Sequence, residues 1–145
     1  CNIYGPNDNY DLETSHFFPA LIKKIYLAKK KNYNNVIVWG TGNPKRELMH
    51  VDDLAGACIY FLNKKTKETL INVGTGTEMT IKEYVSFLKK KINYKGKILF
   101  DRTKPNGTPR KVIDSKIALK YGWKPKISLS KGFNNTLEDF VRNYG

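Results

Sequence analysis

The residues with chemistry to offer sit in three loops. The first, NDNYDLETSHFF, ends in His16 where a helix is expected to begin. The positive end of a helix dipole favours a neutral imidazole, so a histidine there could act as a general acid or base. Taken alone, such a histidine more often merely packs or caps. The second loop follows the apolar run Val36-Ile37-Val38 and holds out Trp39, Lys45 and Arg46. One flat ring and two cations suit a ligand with an aromatic face and anionic oxygens, as a nucleotide has, although a surface turn with solvated cations would read the same way. The third loop, DRTKPNGTPRK, alternates Lys104, Arg110 and Lys111 with turn-formers. If the three loops converge, they could hold a diphosphate. Each charge-assisted hydrogen bond contributes roughly 1.5–3 kcal/mol, so two or three account for much of micromolar binding.

These loops need a scaffold, and the chain supplies one of alternating strands and helices. Ser15 is expected to cap a helix with Phe18, Leu21, Ile22, Ile25 and Ala28 on its inner face. Val36–Trp39 reads as a buried strand, broken by Gly40, Gly42 and Pro44. Leu48, Met49 and Val51 form a second apolar run. Asp52 is then expected to cap a helix whose apolar stripe runs Val51, Leu54, Ala55, Cys58, Phe61 and Leu62. A strand over 69–73 leads to Gly74-Thr75-Gly76, read as a structural turn. Thr80 and Glu83 have capping-box spacing ahead of Ile81, Tyr84, Val85, Leu88 and Ile92. Lys97–Phe100 is expected to be a strand. A short helix follows Asp114 or Ser115, and a last one, capped by Ser130, carries Phe133, Leu137, Phe140, Val141 and Tyr144. The fold class is α/β with largely parallel pairing.

At 145 residues with 40% hydrophobic content, the chain is one domain's worth and can bury a core. No apolar run approaches the ~20 residues that span a bilayer. Cys1 and Cys58 are too few for a disulfide framework and suit free thiols of a reducing, cytoplasmic compartment. His16 and His50 lack metal-site spacing. The net charge of +13 is compatible with nucleic acid or an anionic ligand. Much of it, however, is lysine in helical stretches, where it forms solvated faces. The chain opens on NIYGPND, which reads as a strand running into a loop, so a longer parent protein is expected.

No GxGxxG opens a helix, and GTGNP and GTGTEM do not fit that fingerprint. A different set of stretches carries a resemblance: NIYGPNDN, SHFFPALIKK, VIVWGTGNPKRELMHVDDLA, INVGTGTEMTIKE, KILFDRTKPNGTPRK and ISLSKGF. In order and at this spacing, the chain resembles the C-terminal part of the GDP-L-fucose synthases, in the NAD-dependent epimerase/dehydratase family of extended short-chain dehydrogenases. HVDDLA and NVGTG are shared widely in that superfamily, whereas SHFFPALIKK and KPNGTPRK, in order and at this spacing, are much more specific and point to the fucose synthase branch.

The resemblance implies a fold, a reaction and a set of site residues. The fold is a substrate-binding C-terminal portion plus the last strands and a helix of a Rossmann-like domain whose N-terminal part is absent. Residues 1–145 would form a single fragment, with 1–15 and about 47–74 packing against that missing domain. The implied reaction converts GDP-4-keto-6-deoxy-D-mannose to GDP-L-fucose by 3,5-epimerisation and NADPH-dependent 4-reduction. His16 matches the general acid and a cofactor contact. Cys1, Asn2 and Ile3 match the stretch at the nicotinamide end of NADPH. Lys24, Trp39, Arg46 and Asn106 match positions that hold the GDP-sugar. The family usually carries Asp where Asn106 stands and commonly Arg where Lys24 stands; Asn keeps an acceptor without charge, and Lys is a point charge without a fork. The family's glycine-rich NADP loop, its Ser and Tyr-x-x-x-Lys residues and its cysteine base lie upstream of the matched region.

The chain by itself is therefore expected to bind GDP-sugar weakly and to lack activity, while the full-length protein is expected to be a homodimer with no nucleic-acid or membrane partner. Two other readings are separable by experiment. Another nucleotide-sugar epimerase or dehydratase would prefer UDP or dTDP, and a basic nucleic-acid module would show a steep salt slope.

Overall fold

Strands and helices alternate through the computed structural model, which describes all 145 residues. In chain order they are β1 (Asn2–Tyr4), α1 (Phe17–Lys30), β2 (Asn35–Trp39), β3 (Lys45–His50), α2 (Val51–Leu62) and β4 (Glu78–Thr80). The second half adds α3 (Ile81–Ile92), β5 (Lys97–Asp101), β6 (Arg110–Lys111), α4 (Lys116–Lys120) and α5 (Leu129–Tyr144). The residues divide into two units, neither of them contiguous. One comprises Cys1–Asp8, Glu47–Glu78 and Lys111–Gly145, and the other Asn9–Arg46 and Met79–Arg110. No helix is long and apolar enough to cross a membrane.

In the unit of residues 9–46 and 79–110, β2 and β5 pair in parallel with Val36 opposite Ile98 and Trp39 opposite Asp101. Val36 and Val38 face inward while Ile37 and Trp39 face out, the alternation of a sheet with one covered face. On that face α1 packs against β2, and α3 packs against α1, with Phe17 and Phe18 meeting Tyr84. Phe18, Leu21, Ile22, Ile25 and Ala28 of α1 are all buried, as their spacing predicts, as are Tyr84, Val85, Leu88 and Ile92 of α3. The helix starts are less uniform. Thr80 and Glu83 close the expected capping box. At α1 the cap lies one residue later than expected, at His16, and its side chain makes no capping bond. The Ser15 hydroxyl is instead buried and unpartnered.

In the other unit, β1 and β3 pair in parallel with Ile3 opposite Met49. Met49, Ala57, Ala118 and Trp123 form its core, flanked by Ile3, Leu54, Ile71 and Val73. Asp52 does not cap α2: the imidazole of His50 does, accepting the Asp52 N–H at 3.3 Å, because β3 runs on to His50 and ends there in extended backbone. Asp53 has a different task. Its buried carboxylate accepts the N–H groups of Lys126 and Ile127 at 2.9 and 3.0 Å, fixing the approach to α5. That helix therefore starts earlier than expected, with Ser128 rather than Ser130 as its cap. Residues 69–73 form no strand: Ile71 and Val73 turn toward the core and Leu70 outward, but no neighbouring strand takes up their backbone. The GTG turn after them is structural. The N–H groups of Gly76 and Ile113 and the Thr75 hydroxyl all donate to the fully buried carboxylate of Glu47, at 2.8, 2.7 and 3.2 Å. The apolar stripe expected on α2 is largely uncovered, for Leu62 is 84% exposed and Cys58 is exposed as well.

Candidate functional site

Within the unit of residues 9–46 and 79–110 lies a cavity of about 300 Å³, within the size range of small-ligand pockets. Lys24, Trp39, Arg46 and Asn106 all line it, joined by Leu12, Glu13, Ser15, Phe17 and Ile81 among others. Four separate segments thus contribute these side chains to the lining of one cavity.

Trp39 ends β2 on its open face and is 62% exposed. Two ammonium groups lie by its ring. Lys24 Nζ, from the second turn of α1, is 5.5 Å from the ring centroid, and Lys104 Nζ is 5.6 Å from it. Such contacts contribute about 0.5–1 kcal/mol at exposed sites and, more usefully here, park flexible cations in a defined place. Arg46 lies not in the loop, where the sequence suggests it, but at the start of β3. Its carbonyl accepts the Tyr84 hydroxyl at 3.1 Å, and its Nη1 donates to the Lys45 carbonyl at 2.7 Å.

The loop between β2 and β3 is pinned from both sides. Gly40 and Gly42 have φ of +77° and +75°, a region glycine enters without strain. A Cβ on Gly40 would sit 2.6 Å from Asn106 Oδ1. That oxygen accepts the Thr41 N–H at 2.7 Å and the Thr41 hydroxyl at 2.9 Å, so Asn106 ties its own loop to this one and keeps its NH₂ as a donor. The start of α3 holds the other side: the N–H groups of Lys82 and Ile81 donate to Gly42 and Pro44, and Lys82 Nζ donates to Asn43 Oδ1.

His16 is exposed, on the N-cap between two cavity-lining neighbours, Ser15 and Phe17. Its imidazole makes no capping bond, and only its backbone carbonyl serves the helix, accepting the Ala20 N–H at 3.1 Å. The loop before it is braced by Asp11, whose carboxylate accepts the Thr14 and Glu13 N–H groups and the Thr14 hydroxyl. The Thr14 bonds, with a smaller share from Glu13, hold its carboxyl below the usual range. Cys1, Asn2 and Ile3 belong to the other unit, partly exposed at the start of β1. Two features of this site escape a reading by residue type alone: the role of Thr41, and the seat of Lys104 beside the indole. Asp101-x-Thr103-Lys104 is a turn signature that could have revealed the second.

Against known families, residues 1–74 match the model described as the NAD dependent epimerase/dehydratase family. The chain belongs to that family. Among its members, GDP-L-fucose synthase 1 of Arabidopsis thaliana is 44% identical over 142 residues, covering 98% of this chain and 44% of its own length. GDP-L-fucose synthase of Escherichia coli (strain K12) is 40% identical over 151 residues, covering 98% and 47%. The crystal structure of a GDP-L-fucose synthetase from Naegleria fowleri bound to NADP superposes with a TM-score of 0.87 at 25% identity, over 99% of this chain and 45% of that one. The chain spans about half the length of these relatives. Its α/β architecture with parallel strand pairs corresponds to the C-terminal region of this Rossmann-like epimerase/dehydratase family.

Proposed function

We propose that this chain is the substrate-binding portion of a protein that converts GDP-4-keto-6-deoxy-D-mannose to GDP-L-fucose. The observation that carries the reading is the convergence of Lys24, Trp39, Arg46 and Asn106 on one cavity. In it the cations take the diphosphate, and Trp39 and Asn106 position the remainder of the GDP-sugar. The identities to GDP-L-fucose synthases support the choice of substrate.

The chemistry follows from the ketone. Protons on C3 and C5 flank the C4 carbonyl and are acidic for that reason. Once a base has taken one, the electrons delocalise into an enediolate, and a proton returned to the opposite face inverts the carbon. His16 is the group we assign to that return, since its exposed imidazole has no structural bond to break first. General acid catalysis of this kind contributes roughly 10²–10⁴ in rate. NADPH, when bound, supplies the hydride that reduces C4. Asn2 and Ile3, partly exposed and uncharged, fit the neutral nicotinamide end of that cofactor, with Cys1 beside them and His16 as a further proposed contact. On the same reading, residues 1–15 and about 47–74 pack against the cofactor-binding part of the protein, and Ile59 and Leu62, exposed by 63% and 84%, belong to the covered surface. The 145-residue chain alone then binds GDP-sugar weakly and reduces nothing.

The test is a titration of the intact protein with GDP, UDP and dTDP, read by tryptophan fluorescence. GDP should bind at least about tenfold tighter than the other two. Equal binding of UDP would sink the assignment of a GDP-sugar.

A further inference from the structure

Lys104 lies in the loop after β5, exposed, and nothing in the family resemblance gives it a task. Its backbone is not free to wander. One carbonyl, that of Asp101, accepts both the Gly40 N–H at 2.8 Å and the Lys104 N–H at 3.3 Å, so the residue after Trp39 and Lys104 hang from a single oxygen. The turn is braced further by the Thr103 hydroxyl and N–H, which donate to the Asp101 carboxylate at 2.6 and 3.0 Å. This geometry delivers Lys104 Nζ to the same indole that Lys24 approaches from α1.

Two like charges at about 5.5 Å from one ring centroid repel each other, and neither forms an ion pair with a carboxylate. Glu13 is on the cavity wall and the Asp101 carboxylate is near Lys104, but both stay beyond ion-pair distance. Lys24 and Lys104 thus lie by one exposed aromatic, and Arg46 lines the same cavity as Lys24 and Trp39, so three cations belong to this site. A single phosphate is served by one or two such groups; a diphosphate diester, with one negative charge on each phosphorus, can use all three.

We propose that Lys104 is a ligand-binding residue, pairing with Lys24 across Trp39 to take the diphosphate of the nucleotide sugar. The inference rests on the reading of the cavity given above and adds a residue and a selectivity to it: diphosphates over monophosphates.

The experiment measures calorimetric dissociation constants for GDP, GMP and inorganic pyrophosphate on the intact protein, on Lys104→Ala, on Lys104→Arg and on the control Lys90→Ala, an exposed lysine of α3. Lys104→Ala should weaken GDP and pyrophosphate about tenfold or more and GMP less than about threefold, as loss of one charge-assisted bond requires. Lys104→Arg should restore most of the loss, and Lys90→Ala should change nothing. Only the Lys104 backbone takes part in the turn, so thermal melts should stay unchanged; should alanine disturb the loop, Lys104→Gln reads the same loss. GDP binding within twofold of the unaltered protein in Lys104→Ala, or equal weakening of GDP and GMP, overturns the assignment of Lys104 alone. Failure of the unaltered protein to bind either GDP or pyrophosphate overturns the cavity reading and this inference together.

Discussion

The side-chain oxygen of Asn106 accepts two hydrogen bonds from Thr41, one from its N–H and one from its hydroxyl. Loops that are 65 residues apart in the chain are fastened by that one atom. Asn106→Ala should therefore act through the loop as well as through the ligand. We expect a loss of about 1–2 kcal/mol in stability and a GDP affinity lowered at least about tenfold. Asn106→Asp keeps an acceptor for both donors, so its melting temperature should match the unaltered protein. Equal destabilisation by the two changes, seen in parallel thermal melts, would refute the loop tie.

Glu47 gives a second expectation. Its buried carboxylate answers three donors. In Glu47→Gln one oxygen becomes an NH₂ that faces an N–H, at a cost of about 2–3 kcal/mol. Gly74→Ala should be comparably harmful, because its new methyl would lie 2.5 Å from Glu47 Oε1. Urea denaturation of both variants checks this.

The capping box predicts a pH dependence. The Thr80 N–H, and with it the Thr80 hydroxyl, hold the Glu83 carboxyl below its usual range. A carboxyl held low in the folded state adds stability above its unfolded pKa, near 4.3, and that stability is lost as pH falls through the lower folded value. Glu83→Gln keeps an acceptor for Thr80 but cannot titrate, so its stability should fall less steeply than that of the unaltered protein between about pH 5 and pH 3. Denaturation midpoints across that range would decide the matter.

His16→Asn separates chemistry from binding. On the intact protein, kcat for epimerisation should drop by roughly 10²–10⁴ while the GDP dissociation constant stays within about twofold. An unchanged kcat would remove His16 from the mechanism.

The exposed apolar side chains of α2 supply the last expectation. Ile59→Lys should leave the melting of the 145-residue chain almost unchanged, because Ile59 is 63% exposed there. In the intact protein the same change should destabilise by about 2 kcal/mol or more, through a charge forced into a covered apolar contact. Equal melting shifts in both would argue against a partner surface on α2.

What could be foreseen from residue types divides along the range of the interactions. Thr80 and Glu83 are three apart, and their bond is settled by helix geometry alone, so the box was legible. The inner face of α1 was legible for the same reason: Phe18, Leu21, Ile22, Ile25 and Ala28 repeat with the helix. Caps failed where several candidates crowd together. Ser128 and Ser130 are equivalent in type, and the choice between them is made by Asp53, 73 residues from the N–H it accepts at Lys126. His50 displaced Asp52 because β3 carries its extended backbone that far. The strand expected over 69–73 has the right alternation, but a strand also needs a neighbour, and pairing is not written in the segment itself. Lys24, Trp39, Arg46 and Asn106, singled out by family likeness, line one cavity, whereas Thr41 takes its place from a contact 65 residues away in the chain, and only the turn at Asp101 hints at the seat of Lys104.

The division of the chain into 1–8, 47–78 and 111–145 against 9–46 and 79–110 has a practical meaning for anyone handling the gene. The backbone passes from one unit to the other four times, three of them within β3, β4 and β6. A stop codon anywhere between residues 9 and 110 therefore truncates both units at once. Recombination could not have traded one unit for a foreign version by swapping a single exon-like block; the two must be inherited, and lost, as a pair.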